Sequence, residues 1–313
     1  MKKVPYLDIF KEGLLVTWKN KFLWFFGVII VFASIVPNIN NIFSQQNGKY
    51  FLFVAFFQKK QQLVSMLGLF FAIASLVFFF LKTLATISIT KSLNNLELYR
   101  QLSISAITKD AMLYLLRVLL VDIISGFALL VLFFVIFLPV AYLFSIDAQM
   151  FAIAMGVLAI AIFLALIFVV FYLHKYATFY VVLVNKKIKA AFELASNLFL
   201  ANVKEELSMI PCYFAGMMLF VFVAVLAVSF FGLIILFFIT LGGFDLSGTA
   251  SFLVGCYVAL FASVVVFILS IYVIFLQSIW LLFFKHIATE RIKGNVILKK
   301  NKIDAIMTEQ EIA

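Results

Sequence analysis

The sequence predicts an all-α fold: a polytopic transmembrane helical bundle of six spans, with both termini on the cytoplasmic side. Three observations predict it. The 313 residues are 66% hydrophobic and only 12% charged, where a water-soluble domain carries about half and roughly a quarter, and the mean hydropathy is +1.20. Apolar runs long enough to cross about 30 Å of hydrocarbon, which takes about 20 helical residues, recur along the chain. The basic residues, 24 Lys+Arg against 14 Asp+Glu, fall almost entirely in alternate connecting segments. With 41 Phe, 4 Pro and 13 Gly, disordered, collagen-like and linker-rich classes are excluded.

The elements follow in order. Met1-Lys2-Lys3 resembles the charged start of a signal peptide, but Asp8, Lys11, Glu12 and Lys19 interrupt any early apolar core. No small-residue cleavage site follows the first run, so the expectation is an uncleaved N-terminus. Leu7, Phe10 and Leu14 recur at i, i+3 and i+7, which predicts an amphipathic helix leading into a first span, Phe22–Pro37. The outer segment Asn38–Gln62, with Tyr50–Phe57 apolar enough for a short interfacial helix, precedes a second span, Leu63–Leu81. Ile104, Ile107, Ala111, Leu115 and Val118 form the stripe of a second amphipathic segment, with Lys109 and Asp110 opposite. The third span, Ile123–Phe144, carries no charge, and the fourth is Met150–Leu173. Ile188, Phe192, Ala195 and Phe199 mark a third amphipathic segment, before spans Met209–Leu241 and Phe252–Leu276. Each span inserts readily, at about −0.3 to −0.6 kcal/mol per central Leu, Ile, Phe or Val. Residues 1–298 thus form a single transmembrane domain, and 299–313 a solvated cytoplasmic tail of mixed charge with one or two helical turns.

Orientation comes from the bases. With the N-terminus inside, Met1–Lys21, Lys82–Arg117, Lys175–Lys204 and Lys285–Lys302 are cytoplasmic and hold 21 of the 24 Lys+Arg. Only Lys49, Lys59 and Lys60 lie outside, and such a bias sets N-in, C-in topology. Most of the formal charge of +10 is therefore topology, and with no basic-aromatic motif a nucleic-acid partner is not expected. The 21 Lys against 3 Arg suggest an AT-rich bacterial genome, hence the bacterial cytoplasmic (inner) membrane.

An internal repeat runs through the chain. Phe80-Leu81-Lys82-Thr83-Leu84-Ala85-Thr86 aligns with Tyr172-Leu173-His174-Lys175-Tyr176-Ala177-Thr178 and, more loosely, with Phe275-Leu276-Gln277-Ser278-Ile279-Trp280. The unit is an amphipathic helix plus a helical hairpin, repeated at about 4–100, 101–187 and 188–298. The apolar pattern continues beyond each aligned point, so the even-numbered spans are expected to project past the bilayer, and the three amphipathic segments to form a cytoplasmic collar.

Two stretches carry a family resemblance: Trp18-Lys19-Asn20-Lys21-Phe22-Leu23-Trp24-Phe25-Phe26-Gly27, and Lys187-Ile188-Lys189-Ala190-Ala191-Phe192-Glu193-Leu194 between two spans. The chain resembles the membrane domain found with some glycerophosphodiester phosphodiesterases and the six-helix bacterial membrane proteins around it. Where that family is enzymatic, the resemblance implies that activity resides in a separate soluble barrel with acid, His and metal ligands. His174 and His286 are the only histidines here, so no catalytic residue carries over.

Searching for chemistry returns little. No P-loop, GxGxxG, HExxH, CxxC or GxSxG occurs, and neither an enzyme activity nor a cofactor or metal is expected. Cys212 and Cys256 sit in apolar runs and read as packing residues without disulfide spacing. The intramembrane polar candidates are Lys82, Arg117, Asp122, His174 and Gln277, since an ionisable group at depth is a functional candidate by default. In one reading Lys82, His174 and Gln277, equivalent by the repeat, converge on a cytoplasmic-side polar cavity, where Asp122 pairs with Lys82 or Lys175. In the other, these residues mark where helices leave the hydrocarbon, which removes their insertion cost. Tyr6, Trp18, Trp24, Tyr99, Tyr114, Tyr176, Tyr180 and Trp280 fall near cytoplasmic boundaries, as an aromatic belt would. Small residues, Ala152 and Gly156 or Ala215 and Gly216, favour close helix packing. The function these features suggest is a non-enzymatic scaffold or accessory subunit contacting membrane lipids and a protein partner or a second copy of itself. A transporter or permease subunit for a lipid-like or small polar substrate is the alternative.

Overall fold

The computed structural model describes residues 5–35, 61–96, 103–242 and 249–311, with the backbone alone at 61–72, 235–242, 249–255, 258 and 289–311. Among them are eight helices and no strand: α1 Tyr6–Lys19, α2 Leu23–Ile35, α3 Gln61–Asn94, α4 Ile104–Ser145, α5 Gln149–Val184, α6 Ile188–Ala201, α7 Val203–Gly242 and α8 Thr249–Glu311. Five of these (α3, α4, α5, α7 and α8) are long and apolar enough to cross a membrane. A sixth span arises if α1 and α2 count as one, bent by 100°. The chain is thus an all-helical protein of multi-pass membrane type.

Two elements differ from the sequence expectation. Of the first span, Phe22–Pro37, the described residues give α2, 13 residues long. Residues 36–60, with nearly all of the outer segment Asn38–Gln62, lie outside the described residues, as does Tyr99. The segment 104–118 is no separate helix but the first turns of α4, a continuous helix of 42 residues. Nothing in Arg117-Val118-Leu119-Leu120-Val121 breaks a helix, whereas Asn20 and Asn202 end the helices before α2 and α7. The tail is helical through Glu311, as part of α8, and so more ordered than one or two turns.

The α1–α2 corner shows how a bend is stabilised. The Asn20 side chain donates from Nδ2 to the Val16 carbonyl at 2.7 Å, and the Trp24 indole donates to the Thr17 carbonyl at 3.0 Å. The Thr17 carbonyl is one that the end of α1 leaves without a backbone donor, while the Val16 carbonyl accepts from the Asn20 amide as well, at 3.2 Å.

The chain divides into two compact units. One comprises Tyr6–Leu115 and Ile210–Ile279; the other comprises Leu116–Met209 and Trp280–Ala313 with Met1–Pro5. In the first, helices meet where side chains are small. An added Cβ on Gly27 of α2 would lie 2.4 Å from Ser270 Oγ and 2.7 Å from the Ser270 carbonyl of α8. The Ser270 hydroxyl donates across the same crossing to the Trp24 carbonyl at 2.8 Å. Phe275 is seated against Gly13 and Gly216, whose added Cβ atoms would lie 3.6 and 2.7 Å from its ring, and meets Phe10 edge-on at 5.2 Å. The buried residues of α1 are accordingly Ile9, Gly13 and Thr17. Of the stripe Leu7, Phe10, Leu14, Phe10 and Leu14 are half-buried at the edge of this face and Leu7 is 65% exposed. At the end of α3, Lys91 Nζ pairs with Asp110 of α4 at 2.7 Å and lies 4.2 Å from the Tyr114 ring, tying α3 to the start of α4.

In the second unit, the α4–α5 turn uses a left-handed residue, Asp147 at φ 57°, a conformation that aspartate and asparagine tolerate better than most side chains. The end of α5 uses another, Asn185 at φ 56°. There the Lys186 amide reaches back to the Tyr180 carbonyl at 3.2 Å, as in left-handed helix caps. Between α4 and α5, Ala152 and Ala159 are buried and Gly156 lies in ordinary contact with Val140. Phe133 and Phe137 pack on Phe163. The core proper is aromatic: Phe171, Tyr172 and Tyr176 of α5 surround Trp280 of α8 at 5.4, 4.9 and 6.3 Å between centroids. Tyr176 and Trp280 are therefore core residues and not part of an aromatic belt, whereas Trp18 is 64% exposed.

Burial is concentrated where the sequence expects helices to run on past their spans. It includes Leu84–Leu93 of α3, Tyr172–Val182 of α5 and Ile274–Ile287 of α8. The apolar windows of four spans are hardly buried, 11% in α4, 6% in α5, none in α7 and 17% in α8, against 39% in α3. Cys212 is half-buried and Cys256 exposed, both as free thiols, so Cys256 does not pack in the core.

Candidate functional site

Helix α5 presents polar side chains to acidic partners on two faces. A helix advances about 100° per residue, so residues two apart point nearly opposite ways and residues four apart share a face. His174 therefore points away from Tyr172 and Tyr176, and the structure gives each face its own acidic partner.

On the first face, His174 Nε2 donates to Asp122 Oδ1 of α4 at 2.6 Å, with the side chains 27% and 20% exposed. The pair lies inside two helices that qualify as spans. Nearby on the same two elements, Arg117 Nη1 donates to Asn185 Oδ1 at 2.5 Å, joining α4 to the cap of α5. Lys175 is half-buried, with its ammonium 5.9 Å from the Phe171 ring centre. Ser125, one turn beyond Asp122, is buried and its hydroxyl has no hydrogen-bond partner.

On the second face, the Tyr176 hydroxyl donates to Glu206 Oε1 at the start of α7, and the Tyr172 hydroxyl donates to the Glu206 backbone carbonyl at 3.3 Å. Two tyrosines one turn apart thus hold one residue by its side chain and its main chain. Glu206 is fully buried, and its second oxygen, Oε2, has no partner.

Of the polar-cavity candidates, Asp122, His174 and Lys175 belong to this unit, and Lys82 and Gln277 to the other. Asp122 pairs with His174, a partner that the sequence reading named without joining the two. Lys82 is exposed. Gln277 is buried and donates from Nε2 to Thr90 Oγ1 of α3 at 2.9 Å, so it fastens two helices together. Among the described residues no cluster of three or more His, Cys, Asp or Glu is placed to hold a metal ion.

Glu206 and its tyrosines are what the sequence reading missed. Glu206 falls between the basic segment ending at Lys204 and the span beginning at Met209, beside a second acid, Glu205, and nothing local distinguishes the two. The only usable signal is helical phase: Glu206 lies three residues before the buried Met209 and shares its face.

The Asp122–His174 pair makes a specific prediction. Removing either partner costs the other, itself half-buried, this hydrogen bond, whereas removing both leaves neither group behind. In a cycle of Asp122→Leu, His174→Leu and the double variant, unfolding in detergent is expected to give a coupling of about 0.5–3 kcal/mol. Additivity within about 0.5 kcal/mol would mean that the pair contributes nothing.

A comparison of the chain with family models, curated proteins and solved structures finds no match.

Proposed function

We propose that this chain is a non-enzymatic multi-pass protein of the bacterial cytoplasmic membrane, with both termini inside, acting as a scaffold or accessory subunit that contacts lipids and protein partners. The observation that supports this reading most is the exposure of its apolar helices. No residue of the apolar window in α7 is buried, and only 6% are in α5. Apolar surface on this scale, well beyond the few hundred Å² found on soluble monomers, needs acyl chains or neighbouring helices to cover it. The orientation draws support from the 21 of 24 bases on one side. The soft likeness to the phosphodiesterase-associated membrane domains agrees with a module that serves other proteins. Native mass spectrometry of the chain released from membranes in gentle detergents tests the reading. A complex of fixed stoichiometry with retained phospholipid is expected, and a bare monomer under several such conditions would overturn it.

A transporter or permease subunit is the second reading, favoured by the Asp122–His174 pair inside two apolar helices. Apolar replacement of Asp122, His174 and Lys82 separates the two. Lost solute uptake with normal membrane insertion favours transport, and unchanged uptake favours the scaffold.

A further inference from the structure

We propose that Glu206 is the binding site for one monovalent positive charge, a proton or an alkali-metal ion, taken up on its free Oε2 oxygen. Glu206 is fully buried, its Oε1 is occupied by the Tyr176 hydroxyl, and its Oε2 is sealed from solvent without a partner. From α5 the tyrosines Tyr172 and Tyr176 face it, and from its own helix Glu205, whose charge repels it. From α6 and α8, Phe199 and Trp280 pack against Tyr172 and offer no charge. Neither the Lys91–Asp110 nor the Asp122–His174 ion pair includes Glu206.

A carboxylate in such surroundings has given up its hydration without gaining a counter-charge, and the loss greatly exceeds what one hydrogen bond returns. Its place in the first turn of α7 adds the partial positive charge of a helix N-terminus, which is a weak contribution by comparison. A full positive charge at Oε2 restores the balance. As a proton it converts the carboxylate to a carboxylic acid with its O–H on Oε2. As an alkali ion it leaves the carboxylate ionised and coordinates the same oxygen. Either way the net charge rises by one.

The test uses the full chain in lipid nanodiscs, with thermal unfolding followed by tryptophan fluorescence. One series raises the pH in alkali-free buffer, and a second adds sodium or potassium chloride at the alkaline end. The wild type is expected to lose several degrees of unfolding midpoint along the first series. If a proton is the occupant the salts do not restore it; if an alkali ion is, they do. The neutral isostere Glu206→Gln keeps the acceptor for Tyr176 and is expected to be flat in both series. Identical responses in the wild type and Glu206→Gln would overturn the proposal. Should that variant fail to fold, Tyr176→Phe removes the competing donor to Oε1. It should shift the response to higher pH or lower salt, and an unshifted response would overturn the proposal equally.

Discussion

Gly27→Ala is expected to destabilise the protein by up to about 2 kcal/mol, although alanine is the better helix former. Propensity favours the substitution by about 1 kcal/mol. Against this, the new methyl would meet Ser270 Oγ at 2.4 Å and the Ser270 carbonyl at 2.7 Å, and a backbone oxygen cannot swing aside as a side-chain tip can. Relief requires α2 and α8 to separate, which weakens the Ser270-to-Trp24 hydrogen bond and the edge-on contact of Trp24 with Phe267 at 5.1 Å. Overpacking of this kind costs about 1–3 kcal/mol, occasionally more. Gly126→Ala and Gly232→Ala are the internal controls, because nothing lies within 4 Å of either added Cβ; they should be neutral or stabilising by up to about 1 kcal/mol. Denaturant or thermal unfolding in one detergent checks all three. If Gly27→Ala melts with the controls, α2 and α8 do not cross at Gly27.

Trp280→Ala is expected to have the larger effect, about 3–5 kcal/mol, the range for emptying a large aromatic site in a packed core. Trp280 is only 4% exposed and touches Phe171, Tyr172 and Tyr176 at once. Its removal leaves a void beside the two tyrosines that hold Glu206, and ring-to-ring contacts are lost along with the volume. Trp18→Ala is the matched control: that side chain is 64% exposed, and surface substitutions usually fall within about 0.5 kcal/mol. Comparable melting of the two variants would rule out a core position for Trp280.

The site was only partly legible in the sequence. Asp122 and His174 were identifiable because a charge or imidazole beside a long apolar run stands out. Their pairing was not, since the repeat directs attention to Lys82 and Gln277 as equivalents of His174. The structure instead uses Gln277 for a hydrogen bond to Thr90 and leaves Lys82 exposed. Glu206 was hidden by its neighbour: Glu205 and Glu206 are chemically alike, and only the packing of α5 against the start of α7 selects which one is buried.

The sequence by itself determined the class, the helical content, the approximate limits of the long apolar helices and the asymmetry of the bases. All of these follow from composition and local periodicity. It could not determine which side of each helix faces inward. In water an apolar stripe identifies the buried face, but in lipid the outward face is equally apolar, and helices associate through close packing of small residues and scattered polar contacts. The buried residues of α1 are therefore Ile9, Gly13 and Thr17, beside the stripe Leu7, Phe10, Leu14 and not on it, while Gly13, Gly27 and Gly216 carry the close contacts. Tyr176 and Trp280 looked like belt residues for the same reason. Only the tertiary structure, by bringing distant helices together, decided which aromatics form a core and which acid is enclosed by it.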